Sequence, residues 1–236
     1  MKAQSDSALL QLLQFADSTL PIGAQAHSFG LETLTVEGML TVDSIEPFLQ
    51  DYVFEIGAID ALFCRAAYRL ATEPDVDLFE AEWLTLNCQL SSLRMARESR
   101  AASATLGRRF LTLAAGLTQE ARMQLAQQSA KQASIDLHYV TAFGLVGGLL
   151  GLDEEATTLA CLQQSLTSLL SAMQKLLPIG QSQVVSILWA LKPALIAAAD
   201  RGRHADWRDT GIPSFGLLTE IAAMRHATLP VRLFIS

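Results

Sequence analysis

The sequence predicts an all-α protein: a single helical-bundle domain of about eight to ten helices over residues 1–229, followed by an extended C-terminal tail, 230–236. Three observations predict it. Leu (40) and Ala (34) dominate the 236 residues while Val (9) and Ile (11) are scarce, a balance that favours helix over sheet. Apolar residues recur at helical spacing along nearly the whole chain. The breaks between those runs are short and marked by proline, glycine or a capping side chain, which suits one bundle with tight connections. With half its residues apolar and 17% charged, a chain of this length buries a core without disulfides, and disorder is excluded.

The first helix carries Leu9, Leu10, Leu12, Leu13 and Phe15, with Ser5 or Ser7 as its N-cap. Leu20-Pro21-Ile22-Gly23 breaks the pattern, because proline disfavours helix in the residue before it. A second helix is expected from Ala24 to Thr35, ending near Gly38. Asp43 with Glu46 has the form of a cap and its box partner, Pro47 falls in the tolerant first turn, and a long helix follows to about Thr72. After the Pro74-Asp75-Asp77 turn, periodic runs cover Leu78–Leu90 and Leu93–Leu113, closed by Gly116.

A polar helix spans Thr118–Gln132, and Asp136 is expected to cap a Gly-rich apolar helix, Tyr139–Leu152. That run of 14 residues would span about 21 Å, short of a hydrocarbon core of about 30 Å, so it reads as a central core helix. Asp153-Glu154-Glu155 opens a long helix to Leu177, with acids where the helix dipole favours them. Pro178-Ile179-Gly180 ends it, and the helix from Gln181 is expected to kink at Pro193. Arg201–Pro213, with Gly202 and Gly211, reads as a polar linker, and Phe215–His226 as a last amphipathic helix that Pro230 prevents from extending.

The net charge of −7 argues against nucleic-acid binding, which needs a basic face. Residues 1–90 carry −11 and residues 91–236 carry +4, a split that gives either two faces for unlike partners or ordinary solvated helix surfaces. Cys64, Cys88 and Cys161 form no CxxC pair, and each reads as a buried thiol in a reducing cytoplasm. No secretory leader or membrane span is expected.

His27, His138, His204 and His226 are scattered, no two at the spacing that puts two ligands on one helix face, so tight metal binding is not expected. Walker, GxGxxG, GxSxG and HExxH motifs are absent from the sequence. Two loops stand out, Leu20–Glu32 and Lys175–Gln181, each with a proline followed two residues later by glycine. They read as interhelical turns or as a polar vertex where Glu32 and Lys175 face each other or a partner.

These loops resemble signature segments of the urease accessory protein UreF family: Leu-Pro-x-Gly and Ser-x-Gly-Leu-Glu within Leu20–Glu32, and Lys-Leu-x-Pro-x-Gly-Gln within Lys175–Gln181. Arg225-His226 and Arg232-Leu233-Phe234-Ile235-Ser236 are similar to the family's C-terminus, and Arg97-Glu98-Ser99 with Gly107 to its mid-chain helix. Gln25, Ala227 and Pro230 depart from the pattern. The resemblance implies a cytoplasmic, non-enzymatic, homodimeric helical protein that bridges a UreD/UreH-type scaffold and the GTPase UreG during GTP-dependent nickel delivery to apo-urease. Nickel is then handled transiently by the complex and no cofactor is bound tightly. The residues expected to bind or couple partners are Pro21, Gly23, His27, Ser28, Gly30 and Glu32, then Lys175, Pro178, Gly180 and Gln181, and at the end Arg225, His226, Arg232, Leu233, Phe234 and Ser236. The alternatives are a helical enzyme with an acid/base pocket of Asp17, His27, Glu32 and Lys175, or a diverged adaptor without a role in urease maturation.

Overall fold

Proline, left-handed residues and capping side chains divide the chain into twelve α-helices in the computed structural model, which describes residues 2–209 and 216–236. Helix α1 (Lys2–Phe15) already contains Ser5 and Ser7, so neither is its cap. The helix expected from Ala24 is instead a 3-10 turn (Ala24–Ala26) and a separate α2 (Leu31–Val36), because Phe29 (φ 52°) and Gly30 (φ 89°) turn left-handed between them. Helix α3 (Ile45–Tyr52) runs through a π turn (Val53–Gly57) into α4 (Ala58–Leu70), the long helix expected there. Its entry is organised by Thr41 and Ser44 in a reciprocal capping box rather than by Asp43 and Glu46, since a 3-10 turn (Val42–Ser44) precedes α3.

Asp75 caps α5 (Val76–Leu93) by accepting the amides of Asp77 and Leu78 at 2.9 and 3.1 Å. Helix α6 (Arg97–Thr118) includes Gly116 and ends only where Gln119 turns left-handed (φ 59°). After α7 (Ala121–Gln132), His138 rather than Asp136 precedes α8 (Tyr139–Leu149), and Asp136 stands 3.8 Å from Arg100. Asp153 caps α9 (Glu154–Leu176) through the Ala156 amide at 2.8 Å, as its sequence position requires. Helices α10 (Gln181–Ala190) and α11 (Lys192–His204) meet at 44°, with Pro193 in the first turn of α11 as the kink predicted. Residues 201–204 expected in a linker are helical; Gly211, Pro213 and Phe215 lie outside the described residues, and α12 is Leu217–His226.

Helix α8 is buried from Tyr139 to Gly147 and packs most closely on α4. A Cβ at Gly144 would sit 2.0 Å from the Cys64 carbonyl oxygen and one at Gly148 2.3 Å from that of Tyr68, so these glycines set the helix separation. One apolar cluster, including Phe63, Phe79, Trp83, Phe110 and Phe143, surrounds this pair. A second cluster, including Leu31, Leu49, Leu166, Leu170, Met173, Leu195 and Phe234, joins α2, α3, α9 and α11 to the tail.

Part of the charge asymmetry along the chain is paired internally. Asp60 pairs with Arg94, Glu82 with Arg208 and Glu37 with Arg225, while Arg65 pairs with Glu154 and Glu155. Cys64 and Cys161 are buried and burial pushes the Cys161 thiol well up, whereas Cys88 is exposed because it lies on the solvent side of α5. Among the described residues no single helix is long and apolar enough to cross a membrane; α10 and α11 reach that composition only as a bent pair.

Candidate functional site

The conspicuous sequence segments meet around the C-terminal residues. Gly30 starts α2 with φ 89°, and a Cβ there would lie 2.6 Å from the Thr219 carbonyl oxygen and 3.0 Å from the Ala223 amide nitrogen, so glycine lets α2 approach α12. That approach buries Glu32, in the first turn of α2, at 4% exposure. One Glu32 carboxylate oxygen accepts the amide of Leu233; the other accepts the amide of Phe234 at 3.1 Å and lies 2.8 Å from His226 Nε2.

His226, at the end of α12, is fully buried, and its Nδ1 lies 2.8 Å from Glu98 Oε2 on α6. Arg232 approaches the second Glu98 oxygen at 3.6 Å. Burial on its own would raise the Glu32 pKa, but the Leu233 amide, the His226 ring and the Phe234 amide together hold it below the ordinary carboxylate value. Glu32 is therefore a charged anchor for an extended tail.

The other side of that tail pairs with the first loop. The Ser28 amide donates to the Ser236 carbonyl oxygen at 2.5 Å and the Ile235 amide to that of Ala26 at 3.0 Å. The buried ring of His27 places Nδ1 2.8 Å from Ser236 Oγ; burial, then the charge of Arg109, hold the His27 pKa below its usual value. Lys175 donates from Nζ to the Gln25 carbonyl oxygen at 2.9 Å and lies 5.4 Å from the centre of the Phe234 ring. The two Pro-Gly vertices thus meet, but Lys175 holds the backbone of the first loop and caps Phe234 instead of pairing with Glu32.

The remaining site expectations divide. Gly23 (φ 85°) leaves room for Arg109, whose guanidinium donates to the Ile22 carbonyl oxygen at 3.1 Å. Pro21, Pro178, Gly180 and Gln181 are exposed, and a Cβ on Gly180 would meet nothing. Arg225 is exposed and paired with Glu37. Phe234, expected in solvent as a partner anchor, is 5% exposed because it fills the second core cluster; Leu233 remains 63% exposed. Glu98, Gln25 and Ala26 complete the site without having been singled out as binding residues. The Arg97-Glu98-Ser99 segment was the available signal for Glu98, while Gln25 and Ala26 contribute backbone carbonyls that side-chain patterns do not reveal.

The four groups of the acid/base pocket do not converge. Asp17 is exposed and accepts the Thr19 amide at 2.7 Å, while His27, Glu32 and Lys175 serve the tail from different sides. Both ring nitrogens of His138 face serine hydroxyls, Ser91 at 2.7 Å and Ser103 at 3.1 Å. Among the described residues no group of three or more His, Cys, Asp or Glu side chains is placed to hold a metal ion.

A buried acid and histidine hold residues 233–234 against α2 of an all-α module, with Val231, Leu233 and Ile235 left exposed. The comparisons name the kind. The UreF family model matches residues 40–192. Urease accessory protein UreF from Lachnoclostridium phytofermentans is 32% identical over 234 residues, covering 98% of this chain and all of that protein. The Geobacillus kaustophilus protein of the same name is 30% identical with the same coverage, and one from a Nostoc species is 32% identical over 98% of this chain and 96% of its own length. The chain belongs to the UreF family of urease accessory proteins, which assist urease rather than catalyse its reaction.

Proposed function

We propose that this chain bridges a UreD/UreH-type scaffold and the GTPase UreG while nickel is delivered to apo-urease at the expense of GTP, acting in the cytoplasm as a homodimer. The observation that carries the reading is the tail: Phe234 and Ser236 face inward, while Val231, Leu233 and Ile235 are 81, 63 and 70% exposed. An extended segment fixed along its inner side presents a row of apolar side chains outward, which suits a protein partner. Because Glu32, Lys175 and His226 hold this segment, they prepare the docking edge and reduce the ordering cost of binding.

The chain would act by coupling. A scaffold seated on the tail alters the equilibrium of the GTPase only to the extent that the assembled surface prefers one of its states. Nickel is cargo of the complex in this reading, not a ligand of this chain: His226 and His138 have both ring nitrogens engaged and His27 contacts Ser236. Expressing the chain with a urease operon that lacks its own UreF tests the proposal. Restored urease activity that depends on UreG supports it; no restoration, with the protein folded and the other accessory proteins present, contradicts it.

A further inference from the structure

A pocket of about 400 Å³ lies between α4, α5 and the segment after α11, built by none of the residues that hold the tail. Its volume is in the range that accommodates small organic ligands. The inner wall is apolar, with Leu62, Ala66, Leu70, Leu86 and Trp207, and the remainder carries Arg65, Arg69, Arg203, Arg208 and His204 against only Glu82 and Asp206. Four guanidinium groups thus share this pocket, each held by carboxylates that leave part of its donor set free.

The carboxylates that fix these arginines mostly stand outside the wall. Glu154 bonds Arg65 and Arg69, Glu155 bonds Arg65 and Arg203, and Asp200 bonds Arg203, yet none of the three acids lines the pocket. Arg208 is held by Glu82 and stacks over the Trp207 ring at 4.4 Å. A guanidinium has five N–H donors, and these bridges use only some of them. The bridges also restrain long side chains in advance, reducing the conformational cost of engaging an anion.

We propose that this pocket binds a small organic oxyanion, its phosphate or carboxylate head on Arg203 and Arg208 and its apolar body against Leu62, Leu86 and Trp207. The assignment concerns a surface separate from the tail and does not depend on the role in urease maturation.

Calorimetric titration of the full chain with phenyl phosphate, benzoate and inorganic phosphate tests it, with the change in tryptophan fluorescence that is lost in Trp207→Phe as a second readout. Saturable binding of phenyl phosphate or benzoate is expected, at least about tenfold tighter than inorganic phosphate, which lacks the apolar body. Which of the two aromatic probes binds more tightly distinguishes a phosphate from a carboxylate head. Arg203 and Arg208 are exposed enough to replace, and the R203Q/R208Q double variant, with an unchanged circular-dichroism spectrum, should lose about tenfold or more in affinity. Absence of saturable binding by both aromatic probes, or equal affinity in the double variant, would overturn the proposal. If the double variant does not fold, Arg203→Gln alone, at an exposed side chain, replaces it: weakened binding supports the pocket and unaltered binding excludes it.

Discussion

His226 Nε2 and Glu32 Oε2 lie 2.8 Å apart with both side chains buried, joining the end of the last helix to the start of the second. The same carboxylate accepts two tail amides, so one ionised group ties the second helix to both the last helix and the tail that follows it. Its removal leaves His226 against Glu98 alone and two backbone amides without their acceptor.

Glu32→Ala should therefore destabilise the fold by about 3–5 kcal/mol, the cost of breaking a buried charge-bonded cluster on one side. Lys175→Ala should cost only about 1 kcal/mol, since its ammonium is exposed and makes one carbonyl bond and one contact with an aromatic face. Urea denaturation of both variants checks the contrast; equal losses would show that the two charges play equivalent structural parts.

Stability should fall in two stages as pH drops. Burial, then the charges of Arg94 and Arg100, hold the His138 pKa well below its usual value, so the unfolded chain binds a proton that the folded chain refuses. Stability from this group is complete above the unfolded value of about 6.5 and declines as pH falls below it, with His27 contributing in the same direction. Glu32, whose folded pKa is depressed, holds its contribution above the unfolded carboxylate value of about 4.3 and loses it as pH falls through the folded value. Denaturation midpoints between about pH 7 and 5 should flatten in His138→Gln relative to the unmodified protein; an unchanged slope would mean that His138 does not govern the first stage.

Gly30→Ala should cost about 1–3 kcal/mol through overpacking, with a further penalty for its left-handed backbone, and should loosen α12 from α2. Gly180→Ala, at a position where a Cβ meets nothing, should be close to neutral. Thermal melts of the pair separate glycines needed for close approach from one that is not.

Much of the fold was legible because it depends on local chemistry. Asp75 and Asp153 cap the helices that their positions promised, and Pro193 bends the α10–α11 pair. Asp43, Asp136 and Gly116 misled because capping and termination depend on backbone geometry: Thr41, His138 and Gln119 occupy the transitions instead. At the site, the motif segments identified Glu32, Lys175 and His226 but not how they connect. Opposite charge suggested a Glu32–Lys175 pair, whereas the returning tail brings amides and His226 to Glu32 and places Phe234 beside Lys175. A contact made by the last five residues with the thirty-second has no periodicity to announce it.

The claim that the tail is fixed inside and free to dock outside is tested most directly by capturing a UreD-type scaffold with two variants of the full chain. Leu233→Asp with Ile235→Asp changes only exposed side chains, so the melting temperature should shift by no more than about 2–4 °C, as expected for two surface changes of up to about 0.5 kcal/mol each, while scaffold capture is lost. Phe234→Ala removes a buried ring and should lower stability by up to about 3–5 kcal/mol. Full scaffold capture by the stable double-Asp variant would contradict the account.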